Sequence, residues 1–126
     1  MVNTLLFDTD ILIQYLKDDH QAVDFLEHRD EHYSISAITV AELFAGAHGA
    51  EEEKMMNQFL RAFEIIPVNP VIARQGGLLR HQYMQSHGTG LADALIAATA
   101  DEINARLVSF NDRPFPMLDV LVPYER

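Results

Sequence analysis

The chain of 126 residues carries 9 basic and 19 acidic side chains, a formal charge of −10 at pH 7, with 48% apolar residues, 22% charged residues and no cysteine. These figures exclude a disulfide framework, a thiolate zinc site and a broadly basic nucleic-acid-binding surface, and they argue against disorder. No apolar run approaches the roughly 20 residues of a membrane span, and Met1 to Asp10 has no Lys or Arg before its apolar triplet. Neither a membrane helix nor a secretory leader is expected, which makes the cytoplasm the expected compartment. A chain this long makes one domain, residues 1–126.

Thr4-Leu5-Leu6-Phe7 reads as a buried strand that stops at Asp8, and Ile11, Leu12, Tyr15 and Leu16 then share one helical face. A short helix around Ala22 to His28 leads to a strand from Tyr33 to Ser36, and helical spacing returns from Val40 to Ala47. Glu51-Glu52-Glu53 supplies the negative charge a helix N-terminus favours, ahead of Met55, Met56, Phe59, Leu60 and Phe63. That apolar stripe reads as core, with partner contact as the less frequent use of such residues. Ile65 to Val68 is a brief strand limited by Pro67. Pro70 opens a helix running towards Gly88, with Gly76-Gly77 as a weak point inside it. Leu91 to Ile103 makes another helix, Leu107 to Ser109 a strand, and Val120 to Val122 the last strand.

Strands alternating with helices, without hairpin signals, predict an α/β fold with a central parallel sheet and helices on both faces. Such sheets bind ligands beyond the carboxyl ends of their strands, where strand order reverses. Asp8 ends the first strand, as either a helix cap or a site carboxylate. Glu42 follows the second strand in the apolar stretch Ile38 to Ala45, and Asp93 lies in Leu91 to Ala98, which is apolar almost all round. An unpaired buried carboxylate costs several kcal/mol, of which capping offsets only about 0.5–2 kcal/mol. Basic partners are scarce in this chain, so a bound cation is the simpler compensation. Oxygen ligands alone point to Mg²⁺ or Mn²⁺, ions that work with phosphate oxygens.

Leu5 to Ile13, Ile35 to Leu43 with Gly46, and Asp93 to Ala100, taken in order, resemble the PIN domain and, within it, the VapC-type ribonuclease toxins. The resemblance covers nearly the whole chain. It implies a three-layer α/β domain and a Mg²⁺-dependent endoribonuclease that cleaves structured RNA, either transfer or ribosomal, with a metal-activated water. It further implies a homodimer restrained by a VapB-type antitoxin, with operator DNA contacted only through that antitoxin. Asp8, Glu42 and Asp93 take the family's metal-binding positions, and Thr9, Ser36 and Thr39 its supporting hydroxyl positions. The fourth motif departs: where the family has Thr-x-Asn followed three residues later by an acid or His, this chain has Ser109-Phe110-Asn111-Asp112-Arg113-Pro114. Asp112, or Asn111 through a water, is the expected substitute for the acid displaced by Pro114, and a turn before Arg113-Pro114 that needs neither side chain near the metal is the equal alternative.

Pro114 also keeps open a second reading, a catalytically impaired PIN-like module that only binds an antitoxin or a host protein. Asp8-Thr9-Asp10 resembles the nucleophile motif of haloacid-dehalogenase-type phosphatases too, but those need a downstream lysine, and Lys17 and Lys54 are the only lysines. His28 and His32, four apart, read as a solvated pair rather than metal ligands. Gly88-Thr89-Gly90 lacks the lysine of a phosphate loop and reads as one helix ending and the next beginning.

Overall fold

The computed structural model describes residues 3–126. In chain order the elements are β1 (Thr4–Phe7), α1 (Thr9–Leu16), α2 (His20–Glu27), β2 (His32–Ser36), α3 (Ala37–Ala45), α4 (Gly49–Leu60), β3 (Glu64–Ile66), α5 (Pro70–His87), α6 (Leu91–Glu102) and β4 (Arg106–Val108). The four strands form one sheet in the order β3-β2-β1-β4, all neighbours parallel. Strand order therefore runs outward from β1 through β2 to β3 and returns to the other side of β1 at β4. The reversal lies between the carboxyl ends of β1 and β4, where an open parallel sheet leaves a crevice.

Strand alternation sends successive side chains to opposite faces. Leu5, Phe7, Ile35 and Val108 pack with Ile11, Leu12, Leu26, Leu43, Met56 and Leu60 from α1 to α4. Leu6 and Leu107 face the other way, against Ile96, Ala97 and Ala100 of α6 and against Phe115. Both faces are covered, so the sheet is the middle of three layers, as expected from the sequence. Phe7 is fully buried, with edge contacts to Phe25, Tyr33 and Phe63 at ring distances of 6.5, 4.7 and 5.7 Å.

Three expectations need adjustment. The strand expected over Val120 to Val122 shrinks to a single parallel bridge between Leu121 and Val108. Leu121 donates to Leu107 and accepts from Ser109, at 2.8 and 3.2 Å, and Pro123 then has no N–H with which to extend the ladder. For the same reason β3 stops at Ile66, before Pro67. Gly76-Gly77 does not interrupt α5: a Cβ on Gly76 would lie 2.6 Å from Leu95 Cδ2, so this glycine lets α6 approach, while Gly77 faces open space.

Other expectations stand. The methionine and phenylalanine stripe is mainly core, with Met56 and Phe63 buried, although Met55 is exposed. Gly88, at φ 68°, ends α5 and Gly90 caps α6. His28 ends α2 beside Asp24, while His32 lies in β2 against Glu64, so the two share no helical face. No helix among the described residues is long and apolar enough to cross a membrane.

Candidate active site

β1 ends on Asp8, which caps α1: its Oδ1 accepts from the Thr9 amide at 2.8 Å. Its Oδ2 accepts from the Ser109 hydroxyl at 2.8 Å, across the reversal point and 101 residues along the chain. The capping and site readings of Asp8 thus describe two oxygens of one carboxylate. Ser109 is fully buried, and its Oγ also lies 3.2 Å from Asp10 Oδ2 and 3.3 Å from the Asn111 carbonyl. A hydroxyl has one proton to donate. Two carboxylates therefore converge on a group able to satisfy one of them.

The electrostatic consequence is a proton held tightly at Asp8. Burial pushes its carboxyl up to about 7, helped by the charges of Asp10 and Asp93 and opposed by the Ser109 and Thr9 hydrogen bonds. Burial also raises Asp10, against the amides of Phe110 and Ile11, the Ser109 hydroxyl and the charge of Arg126. Asp93 sits at the third position of α6, where burial raises it and the Gly90 amide, 3.4 Å away, opposes the rise. None of the ion pairs among the described residues reaches these three carboxylates.

Glu42 projects from α3 and is exposed rather than buried, with its Oε1 accepting from the Thr9 hydroxyl at 2.6 Å. The buried Thr39 hydroxyl lies 3.3 Å from that of Thr9, so these two threonines form the polar seam between α1 and α3. Ser36 is fully buried and caps α3, accepting from the Ile38 amide at 3.0 Å, with no hydrogen bond to the acidic residues.

The structure joins Asp8 and Asp10 through Ser109, places Asp93 near enough for its charge to act on Asp8, and links Glu42 to Asp8 through Thr9. It does not bring Asp112 in: that side chain is exposed and has no hydrogen-bonded partner among the described residues. Asn111 is exposed and turns back on its own loop, accepting from the Arg113 amide at 3.3 Å. Pro114 is buried, and its carbonyl accepts from the buried Thr89 at 2.7 Å, which fixes this loop to the start of α6. Asp10 is the residue sequence reasoning passed over. Its signal was the acidic Asp8-Thr9-Asp10 string, in which an acid in the first turn of a helix reads equally well as a response to the helix dipole.

The donor set consists of oxygen atoms only, and the desolvated Asp8 ionises readily only where a cation offsets its charge. That combination fits Mg²⁺ or Mn²⁺. Among the described residues no three acidic or histidine side chains close into a metal cage. An ion held here would have to keep several waters in its shell, as Mg²⁺ characteristically does.

Residues 5–121 match the PIN domain family. The chain is 38% identical over 122 residues to Ribonuclease VapC10 of Mycobacterium tuberculosis, covering 94% of this chain and 91% of that one. In structure it is similar to a toxin-antitoxin complex from Klebsiella pneumoniae, with a TM-score of 0.83, 33% identity and coverage of 97% and 99% of the two chains. It is also similar to VapBC2 from Rickettsia felis, solved bound to a DNA fragment from their promoter, with a TM-score of 0.78, 25% identity and coverage of 94% and 97%. The chain belongs to the PIN domain family, among the VapC ribonucleases.

Proposed function

We propose that this protein is a Mg²⁺-dependent endoribonuclease acting in the cytoplasm as the toxin of a type II toxin–antitoxin pair. One observation carries the reading: Asp8 lies at the reversal point of a parallel sheet with the charge of Asp93 near it, and no ion pair among the described residues offsets either one. Asp8 and Asp93 are the residues that would hold the ion, with Glu42 at the rim. A bound Mg²⁺, for which Mn²⁺ is the natural substitute, supplies a more acidic water and neutralises charge on the phosphodiester. The chain's own residues do the positioning. Ser109 and the Thr9 amide fix both oxygens of Asp8, and Thr9, packed on Thr39, orients Glu42.

Substrate approach has to be local, because the molecule as a whole repels phosphate. Structured RNA with splayed bases, such as a transfer RNA or a ribosomal RNA loop, suits a small cleft that reads shape rather than a duplex groove. Asn111, Asp112 and Arg113 are exposed in the segment that follows Ser109.

For the partner, an apolar groove of about 470 Å³ runs between α1 and α4 from Ile13 and Leu16 to Met55 and Met56, its charged lining being Glu42, Glu52 and Lys17. Its chemistry suits an apolar antitoxin segment bearing a basic residue aimed at the acidic site, and such an antitoxin would carry any contact with operator DNA. The solved neighbours that are complexes support this pairing. A homodimer completes the reading, supported by the exposed Val71 and Leu78 seven residues apart on α5.

The test is cleavage of bulk transfer RNA and ribosomal RNA by the purified chain with Mg²⁺ and with a chelator. Cleavage with Mg²⁺ that the chelator abolishes supports the reading, and metal-independent cleavage contradicts it. The buried Pro114 and the solvent-facing Asp112 favour a second reading, the impaired binding module. An antitoxin bound tightly by a chain that cleaves neither RNA would establish that one.

A further inference from the structure

Asp10 makes more long-range contact than a first-turn acid needs. Its Oδ1 accepts from the Ile11 amide at 2.7 Å within α1. Its Oδ2 accepts from the Phe110 amide at 3.0 Å, 100 residues away, and lies 3.2 Å from Ser109 Oγ. A carboxylate accepting two backbone N–H groups is held in one orientation, and hydrogen bonds to a charged acceptor are short and strong. Phe110 is gripped from the other side: its ring meets Tyr124 edge-on at 5.0 Å and lies under the Arg126 guanidinium at 4.1 Å. The peptide leaving β4 is therefore fixed at Phe110, the neighbour of the residue whose hydroxyl reaches Asp8.

We propose that Asp10 is a positioning residue, a latch that ties the segment leaving β4 to the first turn of α1 and so keeps the Ser109 hydroxyl on Asp8. The inference rests on the nuclease reading for its effect on metal and RNA, while the latch itself is a property of the fold. Asp10 acts through Ser109 and Asp8 and touches neither ion nor substrate. Asparagine does not replace it, because the two amides bond different oxygens of Asp10 and one of them would face the NH₂ group, a donor.

The experiment uses the full chain and the variants Asp10→Ala, Ser109→Ala and the double variant. It reads Mn²⁺ affinity by calorimetry, exchange of the Phe110 amide without metal, and the cleavage of bulk transfer RNA. Groups that orient metal ligands typically contribute about 10- to 100-fold to affinity or activity. Asp10→Ala is expected to weaken Mn²⁺ binding by that factor, to lower kcat with KM unchanged, and to speed Phe110 exchange at least about tenfold. Ser109→Ala is expected to weaken Mn²⁺ binding similarly while Phe110 stays protected, and the double variant to add little, as for groups acting in one chain. If Asp10→Ala does not fold, Ser109→Ala still decides: parental Mn²⁺ affinity there overturns the inference. Weakened Mn²⁺ binding in Asp10→Ala with Phe110 exchange unchanged also overturns it, by making Asp10 a ligand. A parental chain that takes up no Mn²⁺ would instead overturn the proposed function, with Phe110 exchange still judging the latch.

Discussion

Asp8 divides its oxygens between a helix cap and a hydroxyl from the far end of the chain, and its charge is what the surrounding groups fail to neutralise. Removing charge without changing shape isolates that role. Asp8→Asn, Glu42→Gln and Asp93→Asn are each expected to cut RNA cleavage by at least about 100-fold while circular dichroism shows an intact fold. In metal-free protein, Asp93→Asn is expected to keep or raise the melting temperature, because it relieves repulsion with Asp8. A large loss would make Asp93 chiefly a cap for Gly90.

The sign of the pH dependence follows from the same carboxylates. Asp8 holds its proton up to about pH 7 in the folded chain, against 3.8 for an ordinary aspartate side chain. Between those values the folded state binds more protons than the unfolded state, so metal-free stability falls as pH rises across that window. The stabilising contribution is fully present below the unfolded value and gone above the folded one. Asp10 and Asp93, both raised, act in the same direction. Thermal melting in chelator from pH 4 to 8 is expected to show this decline, and Asp8→Asn to flatten it. At this scale the sequence disclosed the carboxylates that follow strands, Asp8, Glu42 and Asp93. It did not disclose Asp10, whose partner amide is remote and whose local pattern is that of an ordinary helix start.

Helix α5 shows how far an element can be read from local preference. A pair of glycines in a helix signals weakness, yet one of them is a contact. Gly76→Ala puts a methyl group against Leu95 and is expected to lower stability by about 1–3 kcal/mol, in the range of core overpacking. Gly77→Ala meets nothing within 4 Å and is expected to raise stability by about 0.5–1 kcal/mol. Chemical denaturation of the two variants checks the pair, and equal effects would refute the packing argument. Strand ends were legible wherever a residue forbids pairing, as Pro67 does for β3. The last strand was over-read, since Val120 to Val122 has strand composition but a proline immediately beyond it. Burial of Glu42 was over-read as well: the apolar stretch around it divides between core residues such as Leu43 and exposed ones such as Ala41.

For the whole molecule, the order β3-β2-β1-β4 gathers residues from opposite ends of the chain at one crevice, in an envelope carrying a charge of −10. Such a field speeds encounter with a basic partner more than it tightens the complex. Expression of the chain alone is expected to slow growth, and co-expression with a small antitoxin bearing basic residues to relieve it. High yield of the lone chain without growth delay would argue against an active toxin. Alternation of strands and helices made the layers and the parallel sheet legible from sequence, and the sheet in turn located the crevice. The loop from Asn111 to Pro114 was legible only in part: its local turn, in which Asn111 accepts from the Arg113 amide, follows from its own residues, whereas its anchorage comes from Thr89, which donates to the Pro114 carbonyl.

Asp8 and Asp93 are proposed to form a carboxylate site that functions only with a divalent ion. Calorimetric titration of Mn²⁺ into the metal-free chain at pH 7, beside Asp8→Asn and Asp93→Asn, tests it most directly. Saturable binding to the parental chain, proton release on binding, and loss of at least about tenfold in affinity in each variant are expected. Parental affinity in both variants, or no binding to the parental chain, would contradict it.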